Sequence, residues 1–404
     1  MDQKAFEYEI EDALYVAGCR FLSGKQRIFL LSVIAGAIAE NMNSFLCPRV
    51  ISLPFRSVYR GQIRDHADST CYSSFRFTKQ QLRRLLCAIR WNETEVVLPN
   101  RSKYSGETCM LVGLFYMHRP VTQDQTADFL GITCQPNVSR LFSFFLNYLI
   151  FNYQHLIALD PDDSLQMWAP YVEMFKRKIR MFHVAGVDSQ RYNDVVGFVD
   201  GKLHRVARPL QRAEHTDIGV DTQRTVYSGY KKIHAVKFQA MIAPNGMIMQ
   251  LSGGYRGRVH DSTMLRRSGL NDMMQGLSQS ANQPCYVYGD AAYPVLSHIR
   301  KAYGTRQVII NCSFDAQPLI SETHQERQVL NRVRTSVEWC FQNVMHTWEG
   351  INLWQSERIF LNQPGKKFIV AVILTNFSCC MKGNLISQFF GCRAPTLETY
   401  VNMQ

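Results

Sequence analysis

The spacing of apolar residues changes along the chain and separates a helical first part from a strand-rich second part. In "TKQQLRRLLCAIRW", residues 78–91, leucines recur at helical spacing behind a threonine suited to cap a helix. "GETCMLVGLFYMH", residues 106–118, reads as a second apolar helix. The pattern predicts a mostly helical region over residues 1–153, followed by a helical connection over residues 154–194.

Residues 122–151 resemble a helix-turn-helix. Ala127 is small enough for two helices to approach closely, and Gly131 suits the positive φ of the turn. Thr133 is a candidate cap for the second helix. Val138, Leu141 and Phe145 would then face the core, leaving outward the polar residues Asn137, Ser139 and Arg140. We take Asn137 and Arg140 as candidate DNA contacts, while an ordinary helical hairpin would use the same glycine and apolar stripe.

Beyond residue 194 the pattern is typical of strands. Apolar runs cover "VVGFVD" (195–200), "CYVYGD" (285–290) and "RQVII" (306–310), and "PNG" joins two further runs within residues 234–255 as a hairpin. Helical patterns cover residues 261–277 and 321–348. This order predicts a mixed sheet flanked by helices over residues 195–377, with a tail over residues 378–404.

The composition favours a polyanionic partner. The formal net charge is +12, and nucleic acid is the simplest explanation of such a balance. The 12 cysteines contain no C-x-x-C pair, which argues against a zinc site and fits reduced thiols in a cytosolic or nuclear compartment. The apolar run over residues 28–39 is shorter than the roughly 20 residues of a membrane span, so we expect a core helix and no membrane association.

Acidic residues stand where strands are predicted to end. Asp200 and Asp290 each terminate an apolar run, although an Asp-Gly turn would also account for Asp200. Carboxylates held close together repel each other, and a divalent cation is the common remedy. Glu338 in the long helix is a third candidate, with Arg334 one turn earlier on the same face. Asp261 follows the cationic stretch "YRGRVH" and is either a metal ligand or a helix cap.

Five ordered blocks carry a resemblance to a known family. They are "VVGFVDG", "YSGYKKIHAVKFQAMIAPNG", "GGYRGRVHDSTMLRRSGL", "YGDAAYP" and "NRVRTSVEWCFQN". In this order they resemble the PIF/Harbinger superfamily of DDE transposases and their domesticated nuclease-like relatives. The resemblance implies an RNase H-like catalytic domain and an acidic site formed by Asp200, Asp261, Asp290 and Glu338. It also implies one or two Mg²⁺ or Mn²⁺ ions, most simply two, and a Myb- or SANT-like partner protein.

The hypothesis that follows is a nuclear, homo-oligomeric DDE transposase or transposase-derived endonuclease that cuts and joins DNA. The residues expected near phosphates are Lys231, Lys232, Arg256, Arg258 and Arg334. The alternative is a domesticated DNA- or protein-binding factor that keeps the fold without cleavage. A metal-dependent phosphatase accounts poorly for the charge and for the helix-turn-helix pattern. The segment over residues 210–225 is longer than in typical relatives and is either a loop or an extra contact.

Overall fold

The computed structural model describes residues 59–159, 168–182, 194–209, 222–301 and 324–402. The helix expected over residues 28–39, the strand expected over residues 306–310 and most of the 210–225 segment lie outside these ranges. Among the described residues, no helix combines the length and apolar character needed to cross a membrane.

The first part of the described chain is an assembly of helices with one short hairpin. The helices are α1 (Asp68–Phe75), α2 (Lys79–Ala88), α3 (Gly106–His118), α4 (Gln123–Leu130), α5 (Gln135–Tyr153) and α6 (Val172–Arg180). The hairpin pairs β1 (Glu95–Val97) with β2 (Lys103–Ser105), and short 3-10 turns cover Ile63–Asp65, Gln154–Ile157 and Ala169–Tyr171. The predicted cap of α2 is confirmed, because the Thr78 side chain accepts a hydrogen bond from the Gln81 amide.

Helices α4 and α5 form the expected helical pair, but the start of α5 differs from the prediction. Gly131 takes the left-handed conformation (φ 69°) at the end of α4, as predicted. Cys134, not Thr133, is the N-cap residue of α5. The prediction that Asn137 faces outward is wrong, because Asn137 is 2% exposed. Its side chain hydrogen-bonds to Asn100, Ser102 and Tyr104 of the β1–β2 hairpin, which therefore covers the first turn of α5.

The second part is a mixed sheet flanked by helices, as predicted. Its strands are β3 (Val195–Arg205), β4 (Tyr227–Ser228), β5 (Ile233–Ile242), β6 (Ile248–Arg256), β7 (Tyr286–Gly289) and β8 (Ile299–Lys301). Strand β3 pairs antiparallel with β5 and parallel with β7, β7 pairs parallel with β8, and β5 pairs antiparallel with both β4 and β6. Three antiparallel strands followed by two parallel ones are consistent with an RNase H-like domain.

The helices of this part surround the sheet. They are α7 (Thr222–Val226), α8 (Asp261–Ser268), α9 (Leu270–Ser280), α10 (His324–Thr347), α11 (Ile359–Asn362), α12 (Pro364–Lys382), α13 (Leu385–Phe389) and α14 (Leu397–Val401), with a 3-10 turn at Glu349–Asn352. The single helix predicted over residues 261–277 is wrong. Gly269 adopts the left-handed conformation (φ 65°) and separates α8 from α9.

Helix α12 joins the helical part to the sheet. Nearly every residue of α12 from Lys367 to Cys379 is buried, and the helix packs against α5, α10 and β6. The fully buried Asn376 exchanges two hydrogen bonds with the backbone of Ile248, at the start of β6. It also donates to the hydroxyl of Tyr400 in α14, so the predicted tail contributes helices and buried side chains to the same core.

A buried ion pair lies at the start of α12. Lys367 Nζ is 2.7 Å from Glu357 Oε1, and the two side chains are 6% and 0% exposed. Burial raises the pKa of the Glu357 carboxyl, while the neighbouring ammonium of Lys367 acts in the opposite direction. The backbone carbonyl of Glu357 accepts a hydrogen bond from the Ala207 amide, just beyond β3. The ion pair therefore anchors the loop that crosses the end of the central strand.

Candidate active site

Asp200 lies within β3, and the prediction that it ends the strand is wrong. Strand β3 continues to Arg205 because β5 pairs with it without interruption from Phe198 to Arg205. The parallel partner β7 stops earlier, with its last pair at Phe198 and Tyr288. Asp200 is therefore the first acidic position beyond the end of β7, where the burial of β3 changes from complete to partial.

Gly201 makes room for a second carboxylate. A Cβ atom at this position would overlap Oδ1 of Asp261, so the glycine lets the first residue of α8 approach β3 directly. The Asp-Gly pair therefore serves close packing within a continuous strand instead of a turn. Lys237 of β5 holds the same carboxylate, with Nζ 2.9 Å from Asp261 Oδ1. His260 occupies the N-cap position of α8, so the expectation of Asp261 as the helix cap is wrong.

Asp290 follows β7 and approaches the same point through a short turn. Its Oδ1 accepts a hydrogen bond from the Ala292 amide at 2.9 Å, which fixes the turn. The turn places the Tyr293 ring against Gly289, where a side chain would clash. The Tyr293 hydroxyl is buried and has no hydrogen-bond partner among the described residues. Burial raises the pKa of Tyr293 well above its ordinary value, and the charges of Asp261, Asp200 and Asp290 add to this change.

Glu338 reaches the aspartates through Arg334. Glu338 lies on α10 with its side chain 51% exposed, and its Oε1 is 3.6 Å from Arg334 Nη2. Arg334 Nη1 is 3.9 Å from Asp200 Oδ2. One guanidinium thus lies between the acid of the central strand and the acid of the helix. Arg334 and Glu338, one helical turn apart, therefore form an ion pair that Arg334 extends to Asp200.

The acids are electrostatically coupled. Burial raises the pKa of Asp200 to about 6, the Gly201 amide and Arg334 oppose this change, and the charges of Asp290 and Asp261 add to it. Burial lowers the pKa of Lys202, two residues further along the strand, and the charge of Asp200 opposes this lowering. Four carboxylates therefore share one region with three cationic side chains, Arg334, Lys237 and Lys202.

The donor set fits a hard divalent cation. Carboxylate oxygens are the ligands that Mg²⁺ and Mn²⁺ prefer, the carboxylates outnumber the cations, and an unpartnered hydroxyl lies beside them. In the described part of the chain, however, no three His, Cys, Asp or Glu side chains are arranged closely enough to share one metal ion. Arg334 and Lys237 instead pair with three of the carboxylates, those of Asp200, Glu338 and Asp261. Asp200, Asp261, Asp290 and Glu338 are the residues that would hold the metal.

The fold that carries these acids is a mixed sheet flanked by helices, consistent with an RNase H-like domain. Residues 199–376 match the sequence model of a family described as DDE superfamily endonuclease, which supports a DDE transposase-like nuclease. The match begins one residue before Asp200 and ends within α12, so it contains all four acids. No curated protein and no solved structure matches the chain.

Sequence reasoning identified the acids but missed the side chains that organise them. Lys237 appeared only as a residue of a strand, and Tyr293 only as part of the "GDAAYP" block. The alternation of inward and outward residues along β5 was the available signal for Lys237, because Lys237 is a charged residue in an otherwise apolar run. No sequence signal indicated that Arg334 would reach Asp200, since that contact joins two elements far apart in the chain.

The residues expected to contact phosphate differ in their exposure to solvent. Lys231, Lys232 and Arg258 are exposed. Arg256, at the end of β6, is only 7% exposed. Arg256 is therefore not an accessible phosphate contact in this structure, whereas the other three remain candidates.

The helical pair gives a specific prediction for Arg140. Arg140 is half-buried, and its Nη1 donates to Asn137 Oδ1 at 3.2 Å. Because the β1–β2 hairpin covers the start of α5, we expect Arg140 to meet phosphate and not base edges. Arg140→Ala should then lower the salt slope of DNA binding by about one unit, measured from isotherms at several salt concentrations. An unchanged slope would identify α4 and α5 as scaffold.

Asn137→Ala should instead destabilise the fold by roughly 1–3 kcal/mol, because it leaves the buried hydrogen-bond partners of Asn137 unpaired.

Asp261 gives a second prediction. Asp261→Asn should reduce DNA cleavage about as strongly as Asp290→Asn, since each removes one negative charge from the same cluster. Single-turnover cleavage at saturating Mg²⁺ measures both rates. Lys237→Gln is the matched control, because it breaks the same ion pair and keeps the carboxylate. Equal losses in Asp261→Asn and Lys237→Gln would show that Asp261 acts only through the ion pair.

Proposed function

We propose that this protein is a metal-dependent DNA endonuclease of the DDE type that cuts DNA phosphodiesters and joins the resulting 3′-hydroxyls to target DNA. The observation that carries the proposal is the approach of three aspartates from separate elements. Asp200 comes from β3, Asp290 from the turn after β7 and Asp261 from the start of α8, and their charges act on one another and on Tyr293. Carboxylates that are half-buried and close together repel one another, and such arrangements are concentrated at functional sites.

The side chains have distinct roles in this proposal. Two Mg²⁺ or Mn²⁺ ions, when bound, would supply activation of the attacking oxygen and stabilisation of the leaving oxygen. Asp200 would be the central ligand, because it lies on β3, the strand between β5 and β7. Lys237 orients Asp261 through their ion pair. Arg334, Lys231, Lys232 and Arg258 attract the DNA backbone without reading its sequence.

Incubation of the purified protein with labelled DNA carrying genomic terminal repeats tests the proposal. Cleavage is expected with Mg²⁺ and should disappear with EDTA. Under the same conditions an Asp200→Asn/Asp290→Asn double variant should bind DNA but leave it uncut, which separates cleavage from binding and from contaminating nucleases. Metal-independent cleavage, or equal cleavage by the double variant, would contradict the proposal.

Arg334 gives a further prediction about the metal itself. Because its guanidinium lies between Asp200 and Glu338, it competes for the carboxylates that a divalent cation would use. Arg334→Gln should therefore bind Mn²⁺ about tenfold more tightly in the absence of DNA, as measured by calorimetry. Arg84→Gln is the control, since Arg84 pairs with Glu398 on the surface. Weaker Mn²⁺ binding by Arg334→Gln would mean that Arg334 holds the acids in ligand geometry.

The wider setting is also part of the proposal. We propose a nuclear location, a homo-oligomeric assembly on paired DNA ends and a Myb- or SANT-like partner, on the strength of the PIF/Harbinger resemblance.

The second candidate function is DNA binding without cleavage. The carboxylates held by Arg334 and Lys237 favour it, because a protein that has lost metal binding would retain such pairs. The Mn²⁺ titration of the wild-type protein separates the two functions.

A further inference from the structure

The hairpin formed by β4 and the start of β5 ends in an exposed aromatic and basic tip, Gly229–Lys232. Tyr227 pairs with His234 and Ser228 with Ile233, so the four tip residues form the connecting turn. The Tyr230 side chain is 87% exposed, one of the most exposed large hydrophobic side chains among the described residues. Apart from Gly229 itself and its two chain neighbours, no residue has an atom within 4 Å of the position where Gly229 would carry a Cβ. The tip therefore projects from the body of the protein.

Cationic side chains lie within the tip and at the base of the hairpin that carries it. Lys231 Nζ lies 4.9 Å from the centroid of the Tyr230 ring, and Lys232 follows in the left-handed region (φ 54°). At the base of the hairpin, the register pairs Arg205 of β3 with Ala235 and Arg256 of β6 with Val236. The ends of these strands bring the exposed residues Arg205 and Arg258 to the same end of the sheet.

The acids and the tip lie along one line of the sheet. Asp200 is paired with Ala240, and Ile233, where β5 begins at the tip, is seven residues away along the same strand. A strand rises about 3.3 Å per residue, so the separation is roughly 23 Å. DNA rises about 3.4 Å per base pair, so the tip lies about seven nucleotides from a phosphate held at the acids.

We propose that the Gly229–Lys232 tip binds an unpaired DNA base, with Tyr230 stacking on the base and Lys231 and Lys232 holding the adjoining phosphates. The inference rests on the proposed nuclease function and adds a preference for locally opened DNA near the cut. An exposed aromatic ring beside ammonium groups matches a nucleotide, which offers a π face and a negative charge together. A base inside an intact duplex is already stacked, so the tip gains this contact only where the duplex is open.

Binding measured without metal tests the tip separately from cleavage. The probes are two duplexes of the same length, one fully paired and one with a short mismatched bubble, titrated against the full chain in EDTA. Tyr230→Ala should lose about tenfold in affinity for the bubble and change little on the paired duplex. Tyr230→Trp should retain the preference, because it keeps the stacking surface. Lys231→Ala should weaken binding to both probes and lower the salt slope by about one unit.

Tyr72→Ala is the matched control. Tyr72 is a 47% exposed tyrosine with the Lys382 ammonium 5.3 Å from its ring, and it lies on α1 of the helical part. Its replacement should leave both affinities unchanged. If the wild-type protein binds DNA and Tyr230→Ala keeps the same ratio between bubble and duplex, the tip proposal is overturned while the nuclease proposal stands. If the wild-type protein binds neither probe, both proposals fail.

Discussion

Replacing Asp200 with asparagine is expected to reduce the rate of DNA cleavage by about 10²-fold or more, on the scale of losing one strong transition-state stabiliser. Asparagine keeps the size of the side chain and removes its charge, and Asp200 is the acid that the other two aspartates and Arg334 all approach. Single-turnover cleavage of end-labelled DNA at saturating Mg²⁺ measures the effect. Glu338→Gln should also impair cleavage, although Glu338 is more exposed.

Two controls make this result specific. Asp272→Asn changes an exposed aspartate in the first turn of α9 and should leave the rate unchanged. DNA affinity of Asp200→Asn, measured in EDTA, should equal or exceed that of the wild-type protein, because the substitution removes a charge that repels phosphate. Cleavage by Asp200→Asn at a rate near that of wild type would exclude Asp200 as a metal ligand.

Removing the buried carboxylate of Glu357 is expected to give the largest loss of stability. Glu357→Ala leaves the Lys367 ammonium buried at the start of α12 without its partner, and breaking such a pair costs about 3–5 kcal/mol. The rings of Tyr116 and Phe142 lie 5.8 and 5.9 Å from this ammonium and offer only weak compensation. Chemical denaturation monitored by circular dichroism measures the change in the free energy of unfolding.

The double variant Glu357→Leu/Lys367→Met separates lost charge from lost packing. It removes both charges, keeps similar volumes and should recover most of the stability. Glu95→Ala is the surface control: Glu95 is 3.0 Å from Lys103, both side chains are more than half exposed, and its loss should cost less than about 1 kcal/mol. A Glu357→Ala protein as stable as the Glu95→Ala protein would show that the buried pair contributes nothing.

Local patterns predicted the elements of this fold well where one strong signal was present. The "PNG" turn between β5 and β6, the cap at Thr78 and the glycine turn after α4 all depend on residues close together in the chain. The end of β3 was mispredicted, because Asp-Gly favours a turn locally while β5 supplies hydrogen bonds along the whole strand. The break at Gly269 was missed because the apolar spacing continues across it.

The candidate site was also predicted only where a local signal was present in the sequence. Asp200 and Asp290 could be proposed from their positions beside apolar runs, Glu338 from its place in the long helix, and Asp261 chiefly from the family resemblance. The partners of the acids could not, because the contacts of Asp261 with Lys237 and of Asp200 with Arg334 depend on how strands and helices pack. Asn137 shows the same effect in the helical part, where the β1–β2 hairpin converts an apparent surface residue into a buried one.

Helix α12 has a consequence for the modularity of the protein. The family match stops at residue 376, in the middle of a helix whose buried side contacts the upstream helices, the sheet and Tyr400. A fragment cut to the boundaries of the match would lose the last turns of α12, beyond residue 376, and would expose the apolar residues that remain. The matched segment alone is therefore not an independent folding unit that a recombination event could transfer. Evolutionary exchange of the nuclease would have to carry the helical part along with it.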